Sequence, residues 1–198
     1  ILAAIAIPNF LEAQVRAKVS RVREDLRTIA VALEAYAVDW NEHPLNDGFY
    51  NVLPIELTTP VPYITNSKLI DPFCAVLPYS NVRILGRPIG ELDREYTYTR
   101  PVTYAESLLH NQLRRYPPAE AIDGWNPQIF IKYGRWRLVS NGPDRAYNDP
   151  NTFGRDRIAD PYNVVLGSDT SYDPTNGTVS TGNILRTQLS PEGKTGWP

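Results

Sequence analysis

Methionine is absent from all 198 residues, cysteine occurs once and histidine twice. A single cysteine forms no intrachain disulfide, so no covalent framework holds the fold. Following Asp71-Pro72-Phe73, Cys74 reads as a small packing residue rather than a nucleophile. His43 beside a proline turn and His110 in a helical stretch have no Cys, Ser or acid at a recognisable catalytic spacing. The chain also lacks G-x-S-x-G, a glycine-rich phosphate loop and H-E-x-x-H. Catalysis has no constellation to rest on, and the reading is of a protein that is not an enzyme. Neither charge dominates: 20 basic residues face 22 acidic ones, with a pI near 5.7. That balance points to no nucleic-acid partner. The apolar run at the start covers residues 1–7 only, against the roughly 20 needed to span a bilayer. With no methionine there is no initiator, and the expectation is of a processed, trimmed or incomplete chain.

What is present begins with that run, which meets Pro8 and continues into a charged, amphipathic stretch ending near Trp40. Val15, Val19, Val22, Leu26, Ile29, Leu33, Tyr36 and Trp40 alternate spacings of four and three, one seam along a helix. From Asn9 to Asp39 such a helix is roughly 45 Å long, more than a single small domain requires. Part of it is therefore expected to pack on something else. Within a helix, Pro8 removes one hydrogen bond and crowds the preceding turn, costing about 3 kcal/mol; a break at or just before it is expected in preference to a continuous helix. Arg16, Lys18, Arg21 and Arg23 against Glu12 form a positive stretch beyond the apolar part. It suits anionic head groups or is an ordinary solvated helix face.

Ile1-Leu-Ala-Ala-Ile-Ala-Ile-Pro8-Asn9-Phe10, followed by Glu12-Ala-Gln14, resembles the later part of the N-terminal helix of type IV pilins. The resemblance is nearest to the G-type major pseudopilins of type II secretion systems, with the family's processing site and following glutamate not in the chain. Ala35-Tyr36 with Asp39 and Pro44 is similar to the family's helix exit. Residues 57–64 with Ile70-Asp71-Pro72-Phe73 are similar to its crossing from helix to sheet, where prolines favour extended and turn conformations. The middle, roughly 74–127, carries no such resemblance.

Glu95-Tyr96-Thr97-Tyr98-Thr99-Arg100 alternates aromatic and polar residues, predicting a half-buried strand. Thr103 and Glu106 form a capping box, Leu108, Leu109 and Leu113 an apolar face, and Pro117-Pro118 a stop. These predict a second helix over 104–116, an insertion on the family scaffold. Residues 128–132 and 135–140 around Tyr133-Gly134 read as a tight hairpin with Gly134 at positive φ. Ile129, Ile131 and Leu138, or their alternates, should line the face under the long helix.

Beyond Ser140 the chain is loop-like. Ser140-Asn141-Gly142-Pro143-Asp144 resembles the start of the calcium loop of G-type pseudopilins, and Thr181-Gly182-Asn183-Ile184 its end, with Asn183 where the family has an acid. The resemblance implies calcium as a candidate ligand on Asp144, Asp149, Asp169 and Asp173. Oxygen donors of this kind suit a cation taking six to eight ligands; the same residues also build metal-free turns. Asn176-Gly177-Thr178 matches a glycosylation sequon and is equally a turn dipeptide.

The fold expected is α+β and pilin-like: a long N-terminal helix packed on a small antiparallel sheet, with a long irregular C-terminal loop region. Residues 1–40 form the helix, with 1–8 as its filament-core or membrane part, and 41–198 the globular head. The seam from Val15 to Leu33 should divide, its later half facing its own sheet and its earlier half neighbouring subunits. The resemblance implies a structural subunit of an extracellular filament, a type IV pilus or a type II secretion pseudopilus. Its partners would be itself, as a helical homopolymer, and the inner membrane that anchors it before assembly. Its place would be outside the cell, at the cell surface or in the periplasm. The alternative is a monomeric, membrane-tethered surface binding module whose aromatic loops grip glycan or peptide.

Overall fold

The structure is a computed structural model and describes residues 2–45, 53–73, 83–84, 87–88, 95–100, 134–143, 172, 175 and 182–191. One helix, α1 (Leu2–Trp40), runs for 39 residues, about 58 Å at 1.5 Å per residue. Pro8 lies inside it, so the expected break does not occur. The ring costs one hydrogen bond early in the helix, its fixed φ already suits a helix, and Ala3, Ala4 and Ala6 before it are strong helix formers. At the other end Asn41 takes φ 57°, the left-handed conformation that commonly terminates a helix. The polar exit at Asp39–Pro44 read from the sequence is therefore where the helix stops.

A single 3-10 turn (Ile55–Leu57) follows, with bends and turns through residue 73. Two antiparallel sheets are described. The smaller pairs β1 (Arg83–Ile84) with β2 (Arg87–Pro88). The larger has the order β3-β4-β5, from β3 (Thr97–Thr99), β4 (Arg137–Ser140) and β5 (Ile184–Thr187). Tyr98 stands opposite Leu138, which stands opposite Arg186. The fold is α+β: one long helix with a small three-stranded antiparallel sheet.

That order corrects the expected hairpin. Gly134 does sit in a turn at φ 79°, and a Cβ there would lie 2.6 Å from the Gln188 side-chain oxygen. Yet residues 137–139 pair with β3 on one side and β5 on the other. β4 is therefore a central strand between segments remote in sequence, and residues 128–132, the other arm of the expected hairpin, lie outside the described residues. Ile129 and Ile131 lie outside the described residues, as does the helix expected over 104–116.

The seam packs as its period requires. Val19, Val22, Leu26, Ile29, Ala30 and Leu33 are buried with Tyr96, Tyr98, Trp136, Leu138 and Ile184 in one core, which Leu57 and Phe73 complete. Tyr96 and Tyr98 satisfy their hydroxyls across that core: Tyr96 donates to Asp25 Oδ2 at 2.7 Å and Tyr98 to the Pro44 carbonyl at 2.6 Å. A buried ring whose hydroxyl finds a partner costs no orphaned polar atom. Burial, with Asp25 alongside, pushes the Tyr96 hydroxyl far above its usual titration range.

The opposite face of the sheet is covered too. Thr97, Arg137, Val139, Leu185 and Thr187 are all buried. The strand expected to be half-buried over 95–100 is buried at Glu95, Tyr96, Thr97, Tyr98 and Arg100. The alternation marks which residues are apolar and does not mark which are wet.

Candidate functional site

The helix divides into two environments. Ile7, Phe10 and Leu11 are 60%, 63% and 53% exposed, Val15 is partly packed, and Val19 is the first fully buried seam residue. From Leu2 to Val19 the helix rises about 25 Å before its core-facing side closes. Three large apolar side chains in five residues, on the part of a helix that the core does not cover, form a contiguous apolar surface rather than scattered exposure. The division expected inside the seam falls earlier than the sequence indicated: Val19 and Val22 belong to this domain's own core, and of the seam only Val15, partly packed, stands at its edge. Phe73 belongs to the same core and lies beside this part of the helix. Lys18 adds to that layer, its ammonium 5.9 Å from the centre of the Phe73 ring.

Exposed ion pairs line the free sides of the helix: Arg16 with Glu12, Arg21 with Asp25 at 3.7 Å and Arg27 with Glu24 at 3.1 Å. Such pairs each contribute little to stability and leave a solvated, net basic face. No helix of the described residues is long and apolar enough to cross a membrane.

At the far end of α1 a single carboxylate oxygen gathers three donors. Glu34 Oε1 receives Trp136 Nε1 at 2.7 Å and Gln188 Nε2 at 3.2 Å, and lies 3.3 Å from His43 Nε2. Helix, helix exit, the approach to β4 and the end of β5 all meet there. Burial holds the His43 imidazole below its ordinary titration range, and Glu34 opposes that shift only in part. His43 is thus a structural histidine rather than a free base; His110 lies outside the described residues.

The four acids proposed as calcium ligands, Asp144, Asp149, Asp169 and Asp173, all lie outside the described residues. The two flanks of their loop are described and meet. Gly142 takes φ 70°, and a Cβ on it would overlap the carbonyl oxygen of Gly182. Asp71, buried, accepts the Phe73 and Asn141 backbone N–H groups, both at 2.9 Å, and so clamps residues 71–73 to the start of the loop. Among the described residues no group of three or more His, Cys, Asp or Glu could hold a metal ion. Glu34 carried no signal in the sequence, because Trp136 and Gln188 lie 102 and 154 residues away; Asp71 stood there only as part of the crossing segment 70–73, not as a clamp.

An aromatic group closes this end of the helix. Tyr36 stacks on Trp40 with ring centres 5.8 Å apart and meets Tyr63 edge-on at 5.5 Å. Trp40 Nε1 donates to the Tyr63 hydroxyl at 3.2 Å, which donates to Asp39 Oδ2 at 2.6 Å. Comparison with family models, with curated proteins and with solved structures finds no match to this chain.

Proposed function

We propose that this chain is a structural subunit of a helical, type IV pilin-like filament, assembling through the N-terminal part of α1. One observation carries the reading: Ile7, Phe10 and Leu11 stand more than half exposed on a helix that outruns its own core. Apolar surface of this kind is stabilised by leaving water, at about 25 cal/mol per Å² buried. The same stretch of helix in further copies is a complementary cover. Contacts between one copy's helix and a different surface of the next are heterologous and do not close, which gives a fibre. The sequence resemblance over residues 1–44 supports the same reading and extends it to a pilus or secretion pseudopilus, outside the cell or in the periplasm after inner-membrane anchoring.

The rival, a membrane-tethered monomeric binding module, draws on the exposed Trp40 and its tyrosine neighbours. Electron micrographs separate the two. Wild-type protein should form fibres, and Phe10→Asp should abolish them while preserving the helical circular-dichroism signal. Its carboxylate would be desolvated without a partner, at a cost of several kcal/mol per subunit contact. Fibres of normal appearance from Phe10→Asp would overturn the proposal.

A further inference from the structure

Charge along the first third of this chain is segregated. Residues 16–27 carry five cations (Arg16, Lys18, Arg21, Arg23 and Arg27) against two acids, Glu24 and Asp25. Residues 28–67 carry no lysine or arginine at all and five acids: Glu34, Asp39, Glu42, Asp47 and Glu56. The chain as a whole has a net charge of only −2, so this polarity is a local feature and not a reflection of composition.

The structure turns the acidic part into a surface. Trp40 is 52% exposed and rigidly set: its face lies against Tyr36, and its N–H and the Tyr63 hydroxyl are both engaged, ending on Asp39. An indole so held presents a π face rather than an unmet hydrogen bond. Exposed Asp39 and Glu42 flank it. Glu42 and Glu56 are close enough to push the Tyr36 hydroxyl upward in pKa, after burial itself. The last turn of α1 contains no basic residue, so the partial negative charge at the helix C-terminus is not offset by a cation of that turn. Arg100, whose side chain is 7% exposed, reaches Glu42 at 3.5 Å from within. Carboxylates, helix end and aromatic face all favour a cation approaching from outside.

The basic part presents such cations. Arg16, Arg21 and Arg27 have side chains 72%, 66% and 64% exposed, and exposed Arg23 is in no ion pair among the described residues. Both surfaces are built on α1, one along it and one around its end. Trp40 lies 13 residues beyond Arg27 and 24 beyond Arg16, about 20 to 36 Å along the axis. One copy cannot bring them together, whereas two copies offset along the helix can.

We infer that the aromatic, acidic collar around the end of α1 (Tyr36, Asp39, Trp40, Glu42, Glu56 and Tyr63) docks the basic face of α1 that Arg16, Arg23 and Arg27 share in a second copy. This rests on the self-assembly reading above and names the polar contact that sets the axial offset between copies. The apolar N-terminal part supplies attraction without register; the charged pair supplies register and steering.

The test uses the full chain in sedimentation velocity at low and high salt, with circular dichroism confirming each fold. Arg16→Glu with Arg23→Glu makes both surfaces acidic; Glu42→Lys with Glu56→Lys makes both basic. Each pair alone should weaken self-association by about ten-fold or more, and wild-type association should fall with salt. An equimolar mixture of the two should recover it, because each variant's collar then meets a face of opposite sign. If both double variants associate as wild type does, or the mixture fails to recover, the collar assignment is overturned. Phe10→Asp separates the two claims. Its loss of assembly beside intact charge variants leaves the filament reading standing and removes only the collar. A wild-type chain that stays monomeric throughout removes both, as would a collar that binds an arginine-rich peptide while copies remain apart.

Discussion

Glu34 is the residue whose removal should be felt farthest from its own position. Its Oε1 accepts from Trp136 Nε1 at 2.7 Å and Gln188 Nε2 at 3.2 Å, with His43 Nε2 at 3.3 Å. Its side chain is 47% exposed, so the charge is screened and the stability at stake is not in the ion pair. It lies in the Trp136 indole, which is only 2% exposed. Glu34→Ala leaves that buried N–H without its acceptor, costing about 1–3 kcal/mol, or a melting temperature lower by roughly 2–4 °C per kcal/mol for a chain of this size. Glu34→Gln keeps an oxygen in place and loses the charge assistance, about half of the bond's strength, so it should fall between alanine and wild type. Thermal unfolding of a double-mutant cycle with Trp136→Phe isolates the effect, since removing the indole N–H first should shrink the cost of Glu34→Ala. An equal cost with and without the indole would refute the reasoning.

The corrected division of the helix makes Val19→Asp a folding mutation: with Val19 4% exposed, a buried carboxylate costs several kcal/mol. Soluble, cooperatively folded Val19→Asp protein with wild-type melting would contradict that placement. His43, its folded-state pKa lowered by burial, takes up protons more readily when unfolded. Stability should therefore hold above about pH 6.5 and decline as pH falls below it. His43→Asn should flatten that decline between pH 7 and pH 5, and parallel profiles would count against it. Calcium is proposed at Asp144 with Asp149, Asp169 or Asp173. Chelation should then lower the melting temperature or expose the C-terminal third to protease, with Asp144→Ala mimicking it, because a cation bound only by the folded form stabilises it by mass action. No change in either measurement would remove the metal and leave the assembly proposal intact.

Local patterns carried the parts of this fold that depend on local physics. The alternating four-and-three spacing from Val19 to Leu33 identified the buried helix face, because a 3.6-residue repeat fixes which side chains share a side. The polar exit at Asn41 and the turn at Gly134 were legible for the same reason: both need left-handed backbone, which asparagine and glycine adopt most readily. A lone proline was a weaker guide, since its local cost was outweighed by the long run of helix on either side of Pro8. Tertiary structure alone decided which strands meet. The residues around Gly134 suggested a hairpin with their nearest neighbours, but β4 pairs with β3 and β5, both remote in sequence. Pairing depends on which partners complete a common core, and no window of neighbouring residues contains that information. The same holds for Glu34, an ordinary acid in the sequence, and for the clamp that Asp71 makes to Asn141: both became junctions only when segments 70 to 154 residues apart closed around them. Composition and period determined that α1 would be long, amphipathic and unevenly charged. Where its apolar side leaves the core, between Val15 and Val19, was set by segments remote in sequence, such as Phe73, that pack against the helix there.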